Sequence, residues 1–330
     1  MHMQVVHNCY SPKEAIELCS RAGVHKVNMR IDKMFFSAFM AGCLLAFACA
    51  ATLSTITAPW YQENAPGLIR MIGALIFPWG LVAIILTGAD LVTASFMFTT
   101  LPTLHRRISP LKMLLHLTIS FLGNLAGSLL VVGLITGHGG VFDMPAYKAE
   151  AVKFATVKVV DPEWHMISLR GIGANWLVCL SCFLGMMARE GISKICAIWW
   201  PTFAFECLGF DHAVANMFFV PMGIYCGADI SVRYYIWKSM IPTVLGNMVG
   251  GGLLVAGVYW YLVRNFGPVM VVVRPLTVAK QFLTGDTSPV VVDGGLFEGD
   301  EESLVGQEQD EKTDGEGSPA EHPKSAENMV

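Results

Sequence analysis

Long apolar stretches separated by short polar connections dominate residues 35–263 of the chain. A helix needs about 20 mostly apolar residues to cross the hydrocarbon core of a bilayer. Six stretches meet this requirement, so the pattern predicts an all-α integral membrane protein with six transmembrane helices. The predicted spans are 35–56, 69–86 with a continuation to 101, 113–135, 167–187, 195–222 and 239–263.

Composition supports a membrane protein with a solvated end. The chain is 54% hydrophobic and 15% charged, with a mean hydropathy of +0.52, whereas soluble domains carry about a quarter charged residues. Residues 281–330 hold 13 acidic residues and 2 lysines, a balance of −11, which leaves +7 on the first 280. We therefore expect an N-terminal segment (1–34), a six-span pore domain (35–263) and an acidic, mostly disordered tail (264–330).

The distribution of lysine and arginine predicts the orientation. Residues flanking one set of span ends carry thirteen Lys and Arg, and the first, third and fifth connections carry five, or seven with Arg70 and Arg170. Basic residues accumulate on the cytoplasmic side of membrane proteins. Both termini should therefore be cytoplasmic, as six spans require.

The chain contains two related halves. Gly123-Asn124-Leu-Ala-Gly127 recurs as Gly246-Asn247-Met-Val-Gly250 after 123 residues, and Gly88-Ala-Asp90 recurs as Gly209-Phe-Asp211 after 121. Two matches at similar spacing indicate duplication of a three-span unit. Because that unit has an odd number of spans, its copies run in opposite directions, so we expect a 3+3 inverted repeat with the solute path between its halves.

The second and fifth predicted spans are interrupted at matching places. Each carries Gly and Asp at a depth where an unpaired backbone group would cost several kcal/mol in hydrocarbon. Broken helices persist there only against protein or a hydrated cavity. The sequence therefore predicts broken second and fifth helices that line a permeation site.

His212 is the leading functional candidate, because an ionisable residue within a membrane is a functional hypothesis by default. An imidazolium could pair with an anion or give it a proton, which lowers the cost of desolvation. The alternative is a hydrogen-bonded structural histidine. Apolar residues near the breaks could form a constriction or could simply pack in the core. They are Phe77, Leu81, Leu91 and Phe205.

Other polar residues in the spans have structural interpretations as well. Asn124 and Asn247 are expected to cap half-helix ends and bridge helices. Asp90 and Asp211 are expected to cap half-helices, since a carboxylate in an anion path would repel the solute. A pore role is more plausible for Asn175, which shares the depth of the fifth-span break.

Lys158 lies in a polar connection with Lys148 and Lys153. These lysines could be ordinary surface charges or could concentrate anions near a pore entrance. Cys179 and Cys182 form a CxxC without a second pair or nearby histidines, which makes a metal or redox site unlikely. We expect no cofactor, no metal, no catalytic residue and no nucleic-acid partner, so the chain should not be an enzyme.

Three motifs resemble those of the formate/nitrite transporter family, and the sequence looks closely similar to fungal members. They cover roughly residues 10–280. The motifs are Gly88-Ala-Asp-Leu-Val-Thr93, Gly171-Ile-Gly-Ala-Asn175-Trp-Leu-Val178-Cys-Leu180, and Gly209-Phe-Asp-His212-Ala-Val-Ala-Asn216-Met-Phe218 followed by Pro221-Met-Gly223.

The resemblance implies an aquaporin-like protomer within a homopentamer of the plasma membrane. It implies that Thr93 on the loop pairs with His212 and that Asn175 and Lys158 draw the anion inward. It also implies uptake of nitrite, ahead of formate, with proton transfer through the histidine. The predicted pathway is His212, Thr93, Asn175, Lys158 and Asn216, and the predicted constrictions are Phe77, Leu81, Leu91, Val178 and Phe205.

Other functions stay open on the sequence alone. An aquaporin-type channel for neutral solutes would suit the fold, but the chain lacks a pair of Asn-Pro-Ala motifs. A membrane enzyme would need a catalytic constellation, and a structural membrane scaffold would tolerate pore-blocking substitutions at Thr93. Nitrite and formate are both small planar anions of weak acids, and no residue discriminates between them.

Overall fold

The computed structural model describes residues 9–263, which are helical except for short connections. Five helices are long and apolar enough to cross a membrane, and a sixth crossing is a pair of helices bent by 47°. This confirms the all-α membrane fold. The five are Ile31–Ile56, Pro66–Thr87, Pro110–His138, Trp164–Met187 and Val232–Val263, and the bent pair is Gly191–Leu208 with Ala213–Tyr225.

Fourteen α-helices can be numbered along this part of the chain, with π-helical segments at Val131–His138, Ile236–Met240 and Val249–Gly257. They are α1 Pro12–Val27, α2 Ile31–Ile56, α3 Pro59–Asn64, α4 Pro66–Ile76, α5 Pro78–Thr87, α6 Val92–Leu104, α7 Pro110–Leu130, α8 Pro145–Val159, α9 Trp164–Met187, α10 Gly191–Leu208, α11 Ala213–Tyr225, α12 Val232–Tyr235, α13 Ile241–Met248 and α14 Val258–Val263.

The spans begin three to seven residues earlier than the apolar pattern predicts. Their first turns contain polar residues and proline, which a search for apolar runs leaves out. In α7, for example, Pro110 occupies the first turn and the Ser109 side chain accepts a hydrogen bond from the Lys112 N–H. Proline and a serine cap are favourable there because the first N–H groups of a helix have no partner within it.

The predicted N-terminal segment contains a helix that is part of the packed domain. Ser11 and Glu14 form a capping box at the start of α1, and Ala15, Ile16 and Cys19 are buried. Helix α1 packs against α6 and α9, whereas α8 packs against α11. Each half of the repeat therefore has a further helix, α1 or α8, ahead of its three spans. The tail predicted at 264–330 lies outside the described residues.

The recurring glycines let helices approach each other closely. A side chain at Gly127 would overlap the Phe39 carbonyl oxygen of α2, and one at Gly250 would overlap the Ile172 carbonyl oxygen of α9. Helix pairs in membranes often meet through such small residues. The first and third spans of each half are thereby held together in the same way.

Both predicted breaks are present. Helix α5 ends at Gly88 with φ +75°, and α10 ends at Gly209 with φ +67°. Glycine adopts this left-handed conformation without the steric penalty of a Cβ atom, which makes it a common helix terminator. The chain resumes as α6 and α11 after a few extended residues. The apolar run of the second span is thus divided into α4, α5 and α6, with a first division at Phe77–Pro78.

Candidate functional site

The His212 side chain lies where the two breaks meet. His212 precedes α11, and its Nδ1 accepts a hydrogen bond of 3.1 Å from the Ala215 N–H. Its Nε2 is 2.8 Å from the Thr93 hydroxyl oxygen, and the residue is 2% exposed. Because a backbone N–H can only donate, Nδ1 is unprotonated here. The proton is therefore on Nε2, which donates to Thr93.

Thr93 is held in place through its backbone. Its carbonyl oxygen accepts hydrogen bonds from the Asn175 side-chain amide at 3.0 Å and from the Cys179 thiol at 3.5 Å. The same Asn175 amide donates to the Asn247 carbonyl at 2.7 Å, so it bridges α6 and α13. Asn175 thus fixes the backbone from which the Thr93 hydroxyl reaches the imidazole.

Apolar side chains surround the pair. The rings of Phe77 and Phe205 meet edge to face with centroids 5.3 Å apart, and the Phe205 centroid is 5.8 Å from that of His212. The remaining predicted constriction residues are buried in the same apolar cluster. These are Leu81, Leu91 and Val178. The structure therefore brings the polar pair together within an apolar, tightly packed environment.

Two asparagines clamp the breaks. Asn124 Oδ1 accepts a hydrogen bond of 2.9 Å from the Val92 N–H at the start of α6, and its amide donates to the Ala38 and Asp90 carbonyls. Asn247 makes the same set of bonds in the other half, to the Ala213 N–H and to the Gly171 and Asp211 carbonyls. Each asparagine caps one half-helix and ties it to a neighbouring span.

The Asp90 carboxylate binds side chains rather than the N–H groups of a helix end. One oxygen lies 2.8 Å from Lys26 Nζ and accepts from the Ser95 hydroxyl. The other lies 2.9 Å from His116 Nε2 and accepts from the Ser120 hydroxyl. Because Asn124 already caps the start of α6, the expected capping role of Asp90 is replaced by a buried ion pair.

Asp211 has a corresponding partner in Lys158, whose Nζ lies 3.2 Å from one carboxylate oxygen. Lys158 also donates to the Gly209 and Phe210 carbonyls, and it is only 7% exposed. It is therefore not a solvated surface lysine. Asn216 donates to Asp211 at 3.3 Å, so its side chain contacts this ion pair rather than the His212–Thr93 pair.

Lys26, Ser95, His116 and Ser120 were missed as site residues by the sequence argument. One signal could have found Lys26. It lies in α1, the helix that precedes the first span of its half, and Lys158 lies in α8, the corresponding helix of the other half. The repeat, extended to these helices, would have paired each lysine with the aspartate of its own half.

Known proteins match the same part of the chain that forms this site. A family model described as formate/nitrite transporter matches residues 13–261. A probable formate transporter of Methanothermobacter thermautotrophicus is 31% identical over 265 residues, which cover 76% of this chain and 96% of that protein.

Two solved structures are similar in fold. An FNT family ion channel has a TM-score of 0.69 and 26% identity, covering 76% of this chain and 98% of that one. A pentameric formate channel with formate bound has a TM-score of 0.62 and 26% identity, covering 70% and 97%. With three sequence motifs, a repeated pair of broken helices and a family match over most of its length, this chain belongs to the formate/nitrite transporter family.

Proposed function

We propose that the protein carries small monovalent anions of weak acids, nitrite first and formate second, through a pore within each protomer. The observation that carries the proposal is the contact between His212 and Thr93. Their 2.8 Å hydrogen bond joins the two broken helices at a buried point beside Phe205. Paired helix breaks of an inverted repeat are where transporters commonly bind their solutes.

The chemistry of this point suits a weak-acid anion. An anion that leaves water for an apolar environment pays a large desolvation cost unless it is paired or neutralised. The Thr93 hydroxyl accepts from His212 Nε2–H and keeps its own proton to donate to an anion. An imidazolium, formed when the ring takes up a second proton, could pass a proton to nitrite or formate; this would leave a neutral ring and a neutral acid, which could cross the contact between Phe77 and Phe205.

Charge near the break in the fifth span also favours an anion. Lys158 of α8 places a buried positive charge against the loop that precedes His212, and Asp211 balances this charge. We propose that Lys158 attracts the anion toward the ring and that Asn175 keeps Thr93 in register. Asn216 acts on the pathway indirectly through Asp211.

The test is anion flux in liposomes that contain the purified protein. Nitrite, formate and the non-protonatable anion chloride are compared across a pH series. We expect nitrite and formate flux to rise with acidity and to exceed chloride flux. The variant His212→Phe loses donors to the anion worth about 1.5–3 kcal/mol, so flux should fall about tenfold or more.

The matched control is His165→Phe, because His165 is 62% exposed at the start of α9, away from the breaks. It should leave flux unchanged. Equal flux in His212→Phe and wild type would reject the proposal, as would transport of neutral solutes alone. Faster flux of formate than of nitrite would reverse the proposed order of substrates.

We further propose a homopentamer in the plasma membrane, with both termini cytoplasmic. Support comes from the solved neighbour described as a pentameric formate channel and from the excess of Lys and Arg beside alternate span ends. Native mass spectrometry of the detergent-solubilised protein tests the number of protomers. Protease accessibility of tags at the two ends in intact cells tests the orientation.

A further inference from the structure

Besides Asn175 Oδ1, four buried side-chain oxygens in the second half make no hydrogen bond to any residue in the described part of the chain. They are Asp211 Oδ2, Asn216 Oδ1, Ser239 Oγ and Thr243 Oγ1, on residues that are 0–1% exposed. Leaving such groups unpaired costs about 1–3 kcal/mol each. Nearly all buried polar atoms in proteins have a partner, which is often an ordered water molecule.

The repeat relates Ser239 and Thr243 to the two residues that contact Asp90 Oδ2 in the first half. Ser239 and Thr243 follow His116 and Ser120 by 123 residues, the same offset that relates Asn124 to Asn247 on the same helices. In the first half, His116 and Ser120 both contact Asp90 Oδ2, at 2.9 and 3.0 Å. The repeat therefore predicts that Ser239 and Thr243 lie on the side of Asp211 that carries Oδ2, although neither hydroxyl hydrogen-bonds to it.

The Asn216 side chain belongs to the same group. Asn216 follows Ser95 by 121 residues, the offset that relates Asp90 to Asp211. Ser95 donates to Asp90 Oδ1, and Asn216 donates to Asp211 Oδ1 in the same manner, which directs the Asn216 amide toward the carboxylate. Helix α11, which carries Asn216, packs against α13, which carries Thr243.

The two halves differ in the size of three of these side chains. His116 fills the space beside Asp90 with an imidazole ring, whereas Ser239 has only a hydroxymethyl group at the corresponding position. Thr243 and Asn216 are in turn larger than their counterparts Ser120 and Ser95, and they offset part of that loss. A water molecule held inside a protein needs two to four polar partners, and the four oxygens supply that number.

The chemistry of the four oxygens matches water. Asp211 Oδ2 and Asn216 Oδ1 are acceptors that need donors, and the two hydroxyls can donate or accept. Many helical hydroxyls in this protein, such as those of Thr99 and Ser181, donate to the carbonyl four residues earlier. Ser239 and Thr243 make no such bond, so their protons are available to another acceptor.

Charge argues against a cation at this point. Asp211 carries one negative charge, and the Lys158 ammonium already lies 3.2 Å from its other oxygen. The remaining three groups are neutral. We infer that one or two ordered water molecules occupy the space bounded by Asp211, Asn216, Ser239 and Thr243, where they complete the hydrogen bonding that His116 and Ser120 provide to Asp90.

A cryo-electron-microscopy structure at a resolution that shows water tests the inference directly. We expect density within hydrogen-bond distance of Asp211 Oδ2 and a hydroxyl, and none at the corresponding point beside Asp90. One map is recorded from protein in sodium chloride and a second from protein in choline chloride. Density that persists in choline supports water, density that disappears shows a sodium site instead, and no density in either overturns the inference.

Hydroxyl-radical labelling provides a second measurement, because X-ray radiolysis generates radicals from water bound inside the protein. Met217 and Tyr235 report on the second half, since Met217 adjoins Asn216 and the Tyr235 hydroxyl donates to the Asn216 carbonyl. Met97 and Phe121 report on the first half as the internal control. We expect labelling of Met217 and Tyr235 and only background labelling of Met97 and Phe121.

A variant that carries two first-half side chains at the corresponding second-half positions tests whether those side chains exclude the water. Ser239→His combined with Thr243→Ser places the side chains of the first half around Asp211. Labelling of Met217 and Tyr235 should fall to the level seen around Asp90. Unchanged labelling in a variant that retains the wild-type oligomer and Tm would contradict the inference, as would background labelling of both reporters in the wild type.

Discussion

The break in the second span and the break in the fifth share a backbone arrangement and its supporting polar contacts, but they differ in the side chains beside the helix that follows. Each starts at a left-handed glycine, pairs an aspartate with a lysine and is clamped by an asparagine from the third span of its half. At the offset of 121 residues, however, Leu91 corresponds to His212 and Val214 corresponds to Thr93. The functional pair therefore joins positions that the repeat does not relate.

The difference shows how a duplicated fold acquires a single site. The groups that satisfy the backbone are retained in both halves, because an unpaired group in a membrane is costly wherever it occurs. The two groups of the proposed pathway, His212 and Thr93, each differ from the corresponding residue of the other half. The first break is also more fully bonded, since both oxygens of Asp90 have partners, whereas one oxygen of Asp211 has none among the described residues.

Removal of the lysines should separate the two breaks most strongly. Lys158→Met leaves Asp211 as a buried charge with a single amide partner, and we expect a loss of about 3–5 kcal/mol. Lys26→Met should cost clearly less, because Asp90 keeps contacts with His116 and two hydroxyls. Thermal unfolding of the detergent-solubilised proteins measures both, and equal losses would show that the extra partners of Asp90 add nothing.

The asparagine clamps should behave alike. Asn124→Ala and Asn247→Ala each remove one helix cap and two bonds to carbonyls, and we expect each to cost about 2–4 kcal/mol. Flux should fall further for Asn247→Ala, since Asn247 bonds the residue that follows His212. Stability by thermal unfolding and flux per inserted protein are measured together. Similar flux in the two variants would contradict a special role for the second clamp.

The terminal glycines should show an intermediate effect. Gly88→Ala introduces a Cβ at φ +75° into open space, so only backbone strain of about 1–2 kcal/mol is expected. Gly209→Ala should cost about the same, because the Arg70 guanidinium that its Cβ would meet is the end of a flexible, exposed side chain that can move aside. Gly67→Ala, in α4 with open space around it, is the control and should not destabilise. A clearly larger loss at Gly209 than at Gly88 would show that the Arg70 side chain cannot move aside.

The smallest expected effect concerns the ion pair between Glu17 of α1 and Arg107, which attaches α1 to the rest of the first half. Burial raises the pKa of Glu17, but hydrogen bonds and charge from Arg107 and Arg21 outweigh it, so the pKa lies below its usual value. The pair with Arg107 should contribute about 0.2–1 kcal/mol. Because the folded pKa is lowered, this stability is present above about pH 4.5 and is lost as the pH falls through the folded pKa.

Glu17→Gln should therefore lower the Tm slightly at pH 7 and match the wild type in acid. Glu63→Gln, at an exposed position, is the control for loss of one carboxylate. A constant difference between Glu17→Gln and wild type from pH 7 down to pH 3 would show that the effect is not ionic.

The spans, the breaks and the repeat were predictable because they depend on local patterns. Apolar length gives the spans, and Gly88 and Gly209 mark the ends of α5 and α10 through their lack of a side chain. The partners of the aspartates were not predictable in this way. Lys26 is 64 residues from Asp90 in sequence, and nothing local connects them.

The capping argument for Asp90 failed for a physical reason. It assumed that a helix N-terminus is the strongest partner available to a carboxylate in the membrane. Asn124 reaches the Val92 N–H from another helix, and a neutral amide can at the same time donate to two carbonyls, which a carboxylate cannot. The carboxylate is then left to a lysine and hydroxyl groups, which satisfy its charge better.

The bond between His212 Nδ1 and the Ala215 N–H links the charge of the ring to the first turn of α11. A second proton on the imidazole would have to occupy the nitrogen that accepts this bond, so two N–H groups would face each other. Charging the ring and releasing that turn are consequently one event. Uptake of a second proton by the ring would loosen the first turn of α11, and release of that proton would let the turn form again.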